Sequence, residues 1–373
     1  METYQLKSKL VESNREYLIR TSNDTTSSAI SSEVFINGEL AESIKHLHPS
    51  EYTEDDVIAL LKQTHSEKKK SIENLMEAFK TAMKDNNPES MIQLGITFYC
   101  MQYLPEAEEL FKSALNAKPD FDKAQFYLSK TYLDWGYTDR AVSYAKMAVE
   151  KCPTYADYHN NYGVALQSIN ENVKAISEFE EAIKLNLYYG EAYYNMGIAW
   201  INSVISDSSI DSATDTIPHI MDCFNKALLV IPDIDKPLFE KGLAILESGG
   251  LMDAKDIFLK VHQAISKNYR EDLSRLNMKY VLDSGLISIP SLEDQISYLE
   301  HQIQKNPSYV DVSADLSQYY LEIAGLYWKK GVDQFIATRK INPNLEKAIY
   351  GSEQAESIHL EISNTLKKLS EKG

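Results

Sequence analysis

The stretch ADYHNNYGVALQSINENVKAISEFEEAIKLNLYY, Ala156–Tyr189, carries the plan of most of the chain. Gly163 stands in its first half, and Ala175, Phe179 and Ala182 stand in its second. The same columns return on both sides at a step of 34 residues. Gly95, Ser129, Gly163 and Gly197 form one column; Ala107, Ala141 and Ala175 form another; Ala114, Ala148 and Ala182 form a third. Phe111, Ala145 and Phe179 keep the step, and Pro119 and Pro153 close the first two units. A fixed period of this length is the mark of a stacked repeat architecture, in which no unit buries its apolar face alone.

Each unit reads as two helices. In Pro88–Tyr103 the apolar residues Met91, Leu94, Phe98 and Met101 recur at helical spacing. In Pro105–Ala117 a second stripe runs through Ala107, Leu110, Phe111, Ala114 and Leu115. The polar turn between them is short, so the two helices should be antiparallel neighbours. Small residues such as Gly95 and Ala107 let the backbones approach, and Phe111 fills the space beside them. Pro119 stops the second helix, because it lacks an amide donor and clashes with the preceding turn.

On these residues the chain resembles the tetratricopeptide repeat family, whose 34-residue unit has a small residue in its first helix. The second helix of that unit carries Ala, an aromatic and another Ala, and a Pro follows. Pro88–Phe121, Asp122–Tyr155 and Ala156–Tyr189 match, with departures at Ala145, where an aromatic is usual, and at Leu187, where Pro is usual. A fourth unit opens with Tyr193, Gly197 and Trp200, but its second half, Phe224, Ala227 and Pro232, arrives 11 residues late. The delay falls in the polar stretch Asn202–Thr216, which reads as a loop between the two helices. Gly242, Ala254 and Phe258 mark a fifth unit; the pattern loosens through Asn268–Asp283 and Ser291–Lys305 and returns around Leu316, Tyr320, Phe335 and Pro343. The resemblance thus implies a mainly α fold, a solenoid array over residues 88–343, with residues 344–373 as a capping helix centred on Leu345–Leu369.

Residues 1–53 follow a different period. Arg15–Ser22, Ser28–Ile36 and Glu39–His46 read as strands, and Asn37-Gly38 is a hairpin signal because both residues tolerate positive φ. The expectation is a three-stranded antiparallel meander that needs a helix to pack on. Thr53-Glu54-Asp55-Asp56 starts that helix, a Thr cap followed by acids in the first turn. Residues 54–87 then form one long helix or two broken near Thr64, with a stripe through Ile72, Leu75, Met76, Phe79 and Met83 facing the first repeat.

Composition sets the limits on function. The 373 residues carry 38 Lys+Arg against 55 Asp+Glu, a formal charge of −17, which disfavours polyanionic partners such as nucleic acid or an acidic membrane surface. Neither an N-terminal apolar run nor an apolar stretch of membrane-spanning length occurs, so the expectation is a cytoplasmic protein. Cys100, Cys152 and Cys223 have no paired spacing, so neither a disulfide framework nor a metal site is expected. The phosphate-binding, dinucleotide, hydrolase-elbow and zinc-helix motifs are missing from the sequence, and no enzymatic cofactor is expected. His46-x-His48 at a strand end reads either as solvated loop residues or as two ligands sharing a metal, and the acid pairs Glu108–Glu109 and Glu180–Glu181 read as outer-face charge.

The resemblance puts binding in the concave groove lined by the first helix of each unit. Carried over residue by residue, the set is Ile92, Ile96 and Tyr99 from the first unit, then Phe126, Tyr127 and Lys130 from the second. Asn160, Asn161, Val164 and Gln167 follow from the third, Tyr194, Asn195, Ile198 and Asn202 from the fourth, and Phe239 and Leu243 from the fifth. Rings beside amides suit a peptide or helix, giving contact area at low entropy cost and bonds to its backbone. The Lys/Arg/Asn clamp of chaperone-binding relatives is missing; Lys130 alone does not make one. The expected role is a non-enzymatic adaptor or scaffold for another protein in a larger assembly, bacterial by the general character of the sequence. The open sheet edge is a second surface, unless the long helix covers it. The alternative is a peptide- or ligand-responsive regulator of a signalling protein. Oligomeric state is not legible in the sequence.

Overall fold

A computed structural model describes residues 3–12, 15–49, 51–206, 213–231, 234–282 and 310–341, with scattered positions between 293 and 304. The chain opens with four strands, β1 (Gln5–Glu12), β2 (Arg15–Asp24), β3 (Ala29–Ile36) and β4 (Glu39–Leu47), in an antiparallel sheet of order β1-β2-β3-β4. Three of these are the expected ones; β1 corrects the three-stranded reading. It escaped notice because its side chains alternate only between exposed and half-buried and include Lys7 and Lys9, the pattern of an edge strand.

Period-two alternation puts Tyr17 and Ile19 of β2 and Val34 and Ile36 of β3 on one buried face, where Tyr17 pairs with Ile36 and Ile19 with Val34. Asn37 and Gly38 carry the hairpin at φ 49° and 90°. Across the buried face lies α1 (Glu54–Asp85), a single helix. Thr53 caps it reciprocally with Asp56, and Asn86 ends it in the left-handed region. Its stripe through Ile72, Leu75, Met76 and Phe79 joins the sheet and the first repeats in one core.

Five antiparallel helix pairs follow: α2 (Pro88–Cys100) with α3 (Leu104–Ala117), α4 (Asp122–Trp135) with α5 (Thr138–Lys151), α6 (Ala156–Ser168) with α7 (Asn172–Leu185), α8 (Gly190–Ser206) with α9 (Ala213–Val230), and α10 (Lys236–Glu247) with α11 (Leu251–Leu282). The small-residue column does what its chemistry requires. Phe111 fills the space beside Gly95, Phe179 that beside Gly163, Phe224 that beside Gly197 and Phe258 that beside Gly242. In the second pair the sizes are exchanged: Ser129 replaces the glycine, and Ala145 replaces the ring opposite. Both are fully buried, which accounts for the departure at Ala145.

Two expectations about the later chain are corrected. The stretch 202–216 is not simply a loop: α8 runs on to Ser206 and α9 begins at Ala213, so the extra residues lengthen both helices, with 207–212 outside the described residues. In addition, the fifth pair does not end at one repeat length, because α11 is a single helix of 32 residues. Leu251–Leu282 holds neither Pro nor Gly, so nothing stops α11 at one repeat length. Leu316, Tyr320 and Phe335 lie on one continuous helix, α12 (Val310–Ile341), where Gly325 and Gly331 alone do not break the backbone bonding. The expected capping helix over 344–373 lies outside the described residues.

The chain forms two compact units, 1–285 and 286–373. Within the second, the Tyr327 hydroxyl of α12 donates to Glu293 Oε1 at 2.9 Å, and the Tyr320 hydroxyl donates to Glu300.

Candidate groove and its surroundings

The first helices of successive pairs, α2, α4, α6 and α8, pack on one another and make one inner row. Amides tie the row together. Asn161 Nδ2 donates back to Ser129 Oγ at 2.9 Å, and Asn195 Nδ2 donates back to Asn160 Oδ1 at 3.0 Å. The two equivalent asparagines, Asn161 and Asn195, therefore each grip the preceding unit, which satisfies buried amides that would otherwise be costly. Asn160 Nδ2 is in turn 3.3 Å from the Tyr189 hydroxyl.

None of the sixteen expected groove residues is fully exposed. Phe126 is stacked on Tyr158 at 4.8 Å and packs with Ala148 between the second and third pairs. Tyr194 and Phe239 belong to the ring cluster of the last two pairs, and the Tyr194 hydroxyl donates to the Phe258 carbonyl. Asn160, Asn161 and Asn195 are the inter-unit ties. Ile92, Ile96, Tyr99 and Ile198 are buried as well. A partly accessible strip remains: Tyr127, Lys130, Val164, Gln167, Asn202 and Leu243. Lys130 Nζ stands 5.4 Å over the Phe126 ring, and the Gln167 amide nitrogen has no hydrogen-bond partner among the described residues. Helical spacing marks both the groove face and the inter-unit face of these helices, which is why a set carried over from the resemblance mixed the two.

Sequence reasoning missed a buried polar junction between the sheet and the first pair. Glu106, in the first turn of α3 and 1% exposed, accepts the Tyr17 hydroxyl of β2 and lies 3.7 Å from Arg15 Nε. Arg15 Nη2 reaches Glu109 at 2.7 Å. Burial raises the Glu106 carboxyl above the ordinary range, while the Tyr17 bond and Arg15 pull the other way. Close by, the Tyr103 hydroxyl donates to Glu42 of β4 at 3.1 Å, and Glu42 pairs with Lys68 of α1 at 2.5 Å. The Glu108–Glu109 pair is thus structural: Glu108 accepts from Tyr132 and from Lys112, each at 2.6 Å.

His159 is a second polar tie. Its Nδ1 lies 2.7 Å from Glu178 Oε2 on α7, and its Nε2 lies 3.0 Å from the Pro153 carbonyl. Both partners are acceptors, so the ring satisfies both only as the imidazolium. The Glu178 bond accordingly raises its pKa, against burial. A raised folded pKa means stability that is present below the unfolded value of about 6.5 and lost as pH rises through the folded value. His159→Gln should therefore cost about 1.5–3 kcal/mol near pH 6 and distinctly less at pH 9. Thermal melting across that range checks it; a gap independent of pH would show that the ring is neutral throughout.

His46 and His48 line a hollow with Tyr52, Leu60 and Glu67; His48 stacks on Tyr52 at 5.6 Å, and its Nδ1 faces the Pro49 carbonyl at 3.0 Å. No cluster of three or more His, Cys, Asp or Glu placed to hold a metal occurs among the described residues. Cys100 and Cys223 are buried, Cys152 is half-buried, and none of the three is in a disulfide; burial pushes the Cys223 thiol up to about 12. No helix among the described residues is long and apolar enough to cross a membrane.

No protein-family profile matches the sequence. No curated protein matches it either. Among solved structures, the chain is similar to the protein MamA, at 26% identity over 45% of this chain and 91% of that one, TM-score 0.32. It is also similar to TTC0263, a tetratricopeptide repeat protein of Thermus thermophilus, at 14% identity over 63% and 100%, TM-score 0.34. A third is YrrB, described as a tetratricopeptide repeat protein with an unusual peptide-binding site, at 13% identity over 52% and 97%, TM-score 0.36.

Proposed function

We propose that this chain, a tetratricopeptide repeat protein in fold, is a non-enzymatic adaptor that docks a segment of a partner protein on its inner helix row, as part of a larger bacterial assembly. One observation carries the reading. Successive first helices are locked by the Asn161–Ser129 and Asn195–Asn160 bonds into a pre-formed row, along which Tyr127, Lys130, Val164, Gln167 and Asn202 stay partly accessible. A surface fixed before binding loses little ordering entropy on association. The outer edge of β4, with Leu40 55% and Leu47 80% exposed, offers a second surface for strand addition.

Affinity capture with the full chain and charged variants tests both surfaces. Deleting the sheet is unsuitable, because Tyr17, Ile19, Val34 and Ile36 share a core with α1 and the first repeats. Lys130→Glu with Val164→Glu should abolish capture of the partner while the fold keeps its secondary structure. A partner bound equally by this variant removes groove docking. Leu40→Lys with Leu47→Lys should release only a partner held on the strand edge, and a change in neither variant defeats the adaptor reading.

A further inference from the structure

We infer that the free edge of β4 is the seat of a second copy of this chain, joined to it about a two-fold axis at Ile44. The inference rests on the strand-edge half of the proposed function and names the occupant of that edge.

β1 and β4 are the two edges of the sheet, and they are built differently. β1 carries Lys7 and Lys9, the usual protection of an edge against further pairing, and Lys9 is held by Glu16 at 2.6 Å. β4 presents Leu40, Ile44 and Leu47, exposed at 55%, 38% and 80%, with Lys45 its single lysine. The backbone of β4 is also set to pair. The His48 amide donates to the Ser28 carbonyl at 3.0 Å, and antiparallel alternation then turns the amides of Glu42, Ile44 and His46 toward β3. Those of Ser43, Lys45 and Leu47 point outward, and no strand lies beyond them among the described residues. Side-chain cover stops at the same line. On the face toward α1, Tyr17, Ile19, Val34 and Ile36 of β2 and β3 are buried. Ile44 and His46, which stand opposite Ser32 and Ile30 of that face, are exposed. A further strand is what would bury them.

The order of residues along β4 selects a copy of itself. Opposed residues of an antiparallel pair point to the same face, so about a two-fold axis odd positions meet odd ones and even positions meet even ones. With the axis at Ile44, the two Ile44 side chains meet, and Glu42 of each copy faces His46 of the other. Ser43 then faces Lys45, and Ala41 faces Leu47. Glu42 keeps Oε1 for this contact, since Lys68 and Tyr103 both use its Oε2. An axis at Ser43 would instead set Glu42 against Ile44, and an axis at Glu42 or Lys45 would bring like charges together. Two chains of net charge −17 repel elsewhere, which confines attraction to the register that matches. The pair would offer two repeat grooves at once, with the gain in avidity that a partner carrying two segments can use.

The test uses the full chain. Sedimentation equilibrium should give twice the 42.4 kDa of one copy. Ile44→Glu sets two carboxylates on the axis and should return the mass to one copy with the circular dichroism unchanged, because residue 44 is not part of the buried core. Ile44→Cys reads the register: opposed residues of a pair without mutual backbone bonds have Cα atoms about 4.5 Å apart, within disulfide reach. Mild oxidation should therefore link two Ile44→Cys chains covalently. Ser43→Cys, which faces Lys45, should not link, nor should the wild-type chain, whose cysteines are buried or half-buried. A single-copy mass at every concentration overturns the inference, as does a dimer that Ile44→Glu leaves intact or linkage through Ser43→Cys in place of Ile44→Cys. The reading it rests on fails differently. A monomeric chain that loses a captured foreign protein through Leu40→Lys with Leu47→Lys keeps the edge as a docking surface and removes only the second copy. Mass and capture that both ignore those two changes remove the edge as well.

Discussion

Gly163→Leu is expected to destabilise the array by roughly 1–3 kcal/mol or more, the cost of overpacking a core that cannot give way. A Cβ at residue 163 would lie 2.5 Å from Phe179 Cε1 and 2.8 Å from its Cδ1 and Cζ. Phe179 is fully buried and packs in one cluster with Leu166, Ala175 and Ile176, so its ring has no free direction in which to swing. The second pair shows what would accommodate a side chain there, because Ser129 faces Ala145 at the equivalent place. Phe179→Ala alone should cost about 3–5 kcal/mol by leaving a cavity. Gly163→Ser with Phe179→Ala copies the second pair and should cost clearly less than the two single changes added together, a coupling of about 1 kcal/mol or more. Urea unfolding of the four proteins measures it. Strict additivity would mean that the two positions do not share one space, and the 34-residue register would fall with that result.

What could be read from the sequence and what could not divide along one physical line. Residues whose type is dictated by local geometry were legible: Asn37-Gly38 at positive φ, the Thr53 cap, and the glycine and ring columns where two backbones close on each other. Features that depend on which of two apolar faces meets which neighbour were not. Phe126 and Tyr194 have helical spacing equally suited to the groove and to the inter-unit core, and only the packing assigns them to the core. Strand β1 hid because an edge strand needs few apolar residues, and Glu106 hid because a buried carboxylate looks in sequence like any surface acid. The length of α11 was not legible: the repeat pattern merely loosens through Asn268–Asp283, whereas the backbone stays helical from Leu251 to Leu282.

Phe258→Ala is expected to cost about 3–5 kcal/mol, and where that loss appears distinguishes an open array from a closed one. Phe258 stacks on Phe224 at 3.8 Å and 20°, stands 5.1 Å from Phe239 and occupies the space left by Gly242. All three rings are fully buried, so truncation leaves a cavity between the fourth and fifth pairs. In a linear repeat protein each unit contacts only its neighbours, and stability is close to a sum of unit and interface contributions. Were this array open, the damage would stay local: amides in α10 and α11 would exchange faster, those of α8 and α9 somewhat faster, and α2 would not change. But α11 packs on α2 and α1 as well as on α8 and α10, so loosening its first half should also withdraw support from the far end. The expected exchange pattern therefore has two accelerated regions, Lys236–Leu282 and Pro88–Cys100, with α4, α5 and α6 between them protected as before. Faster exchange confined to the last two pairs would show that α11 lends nothing to α2, whatever the size of the stability loss.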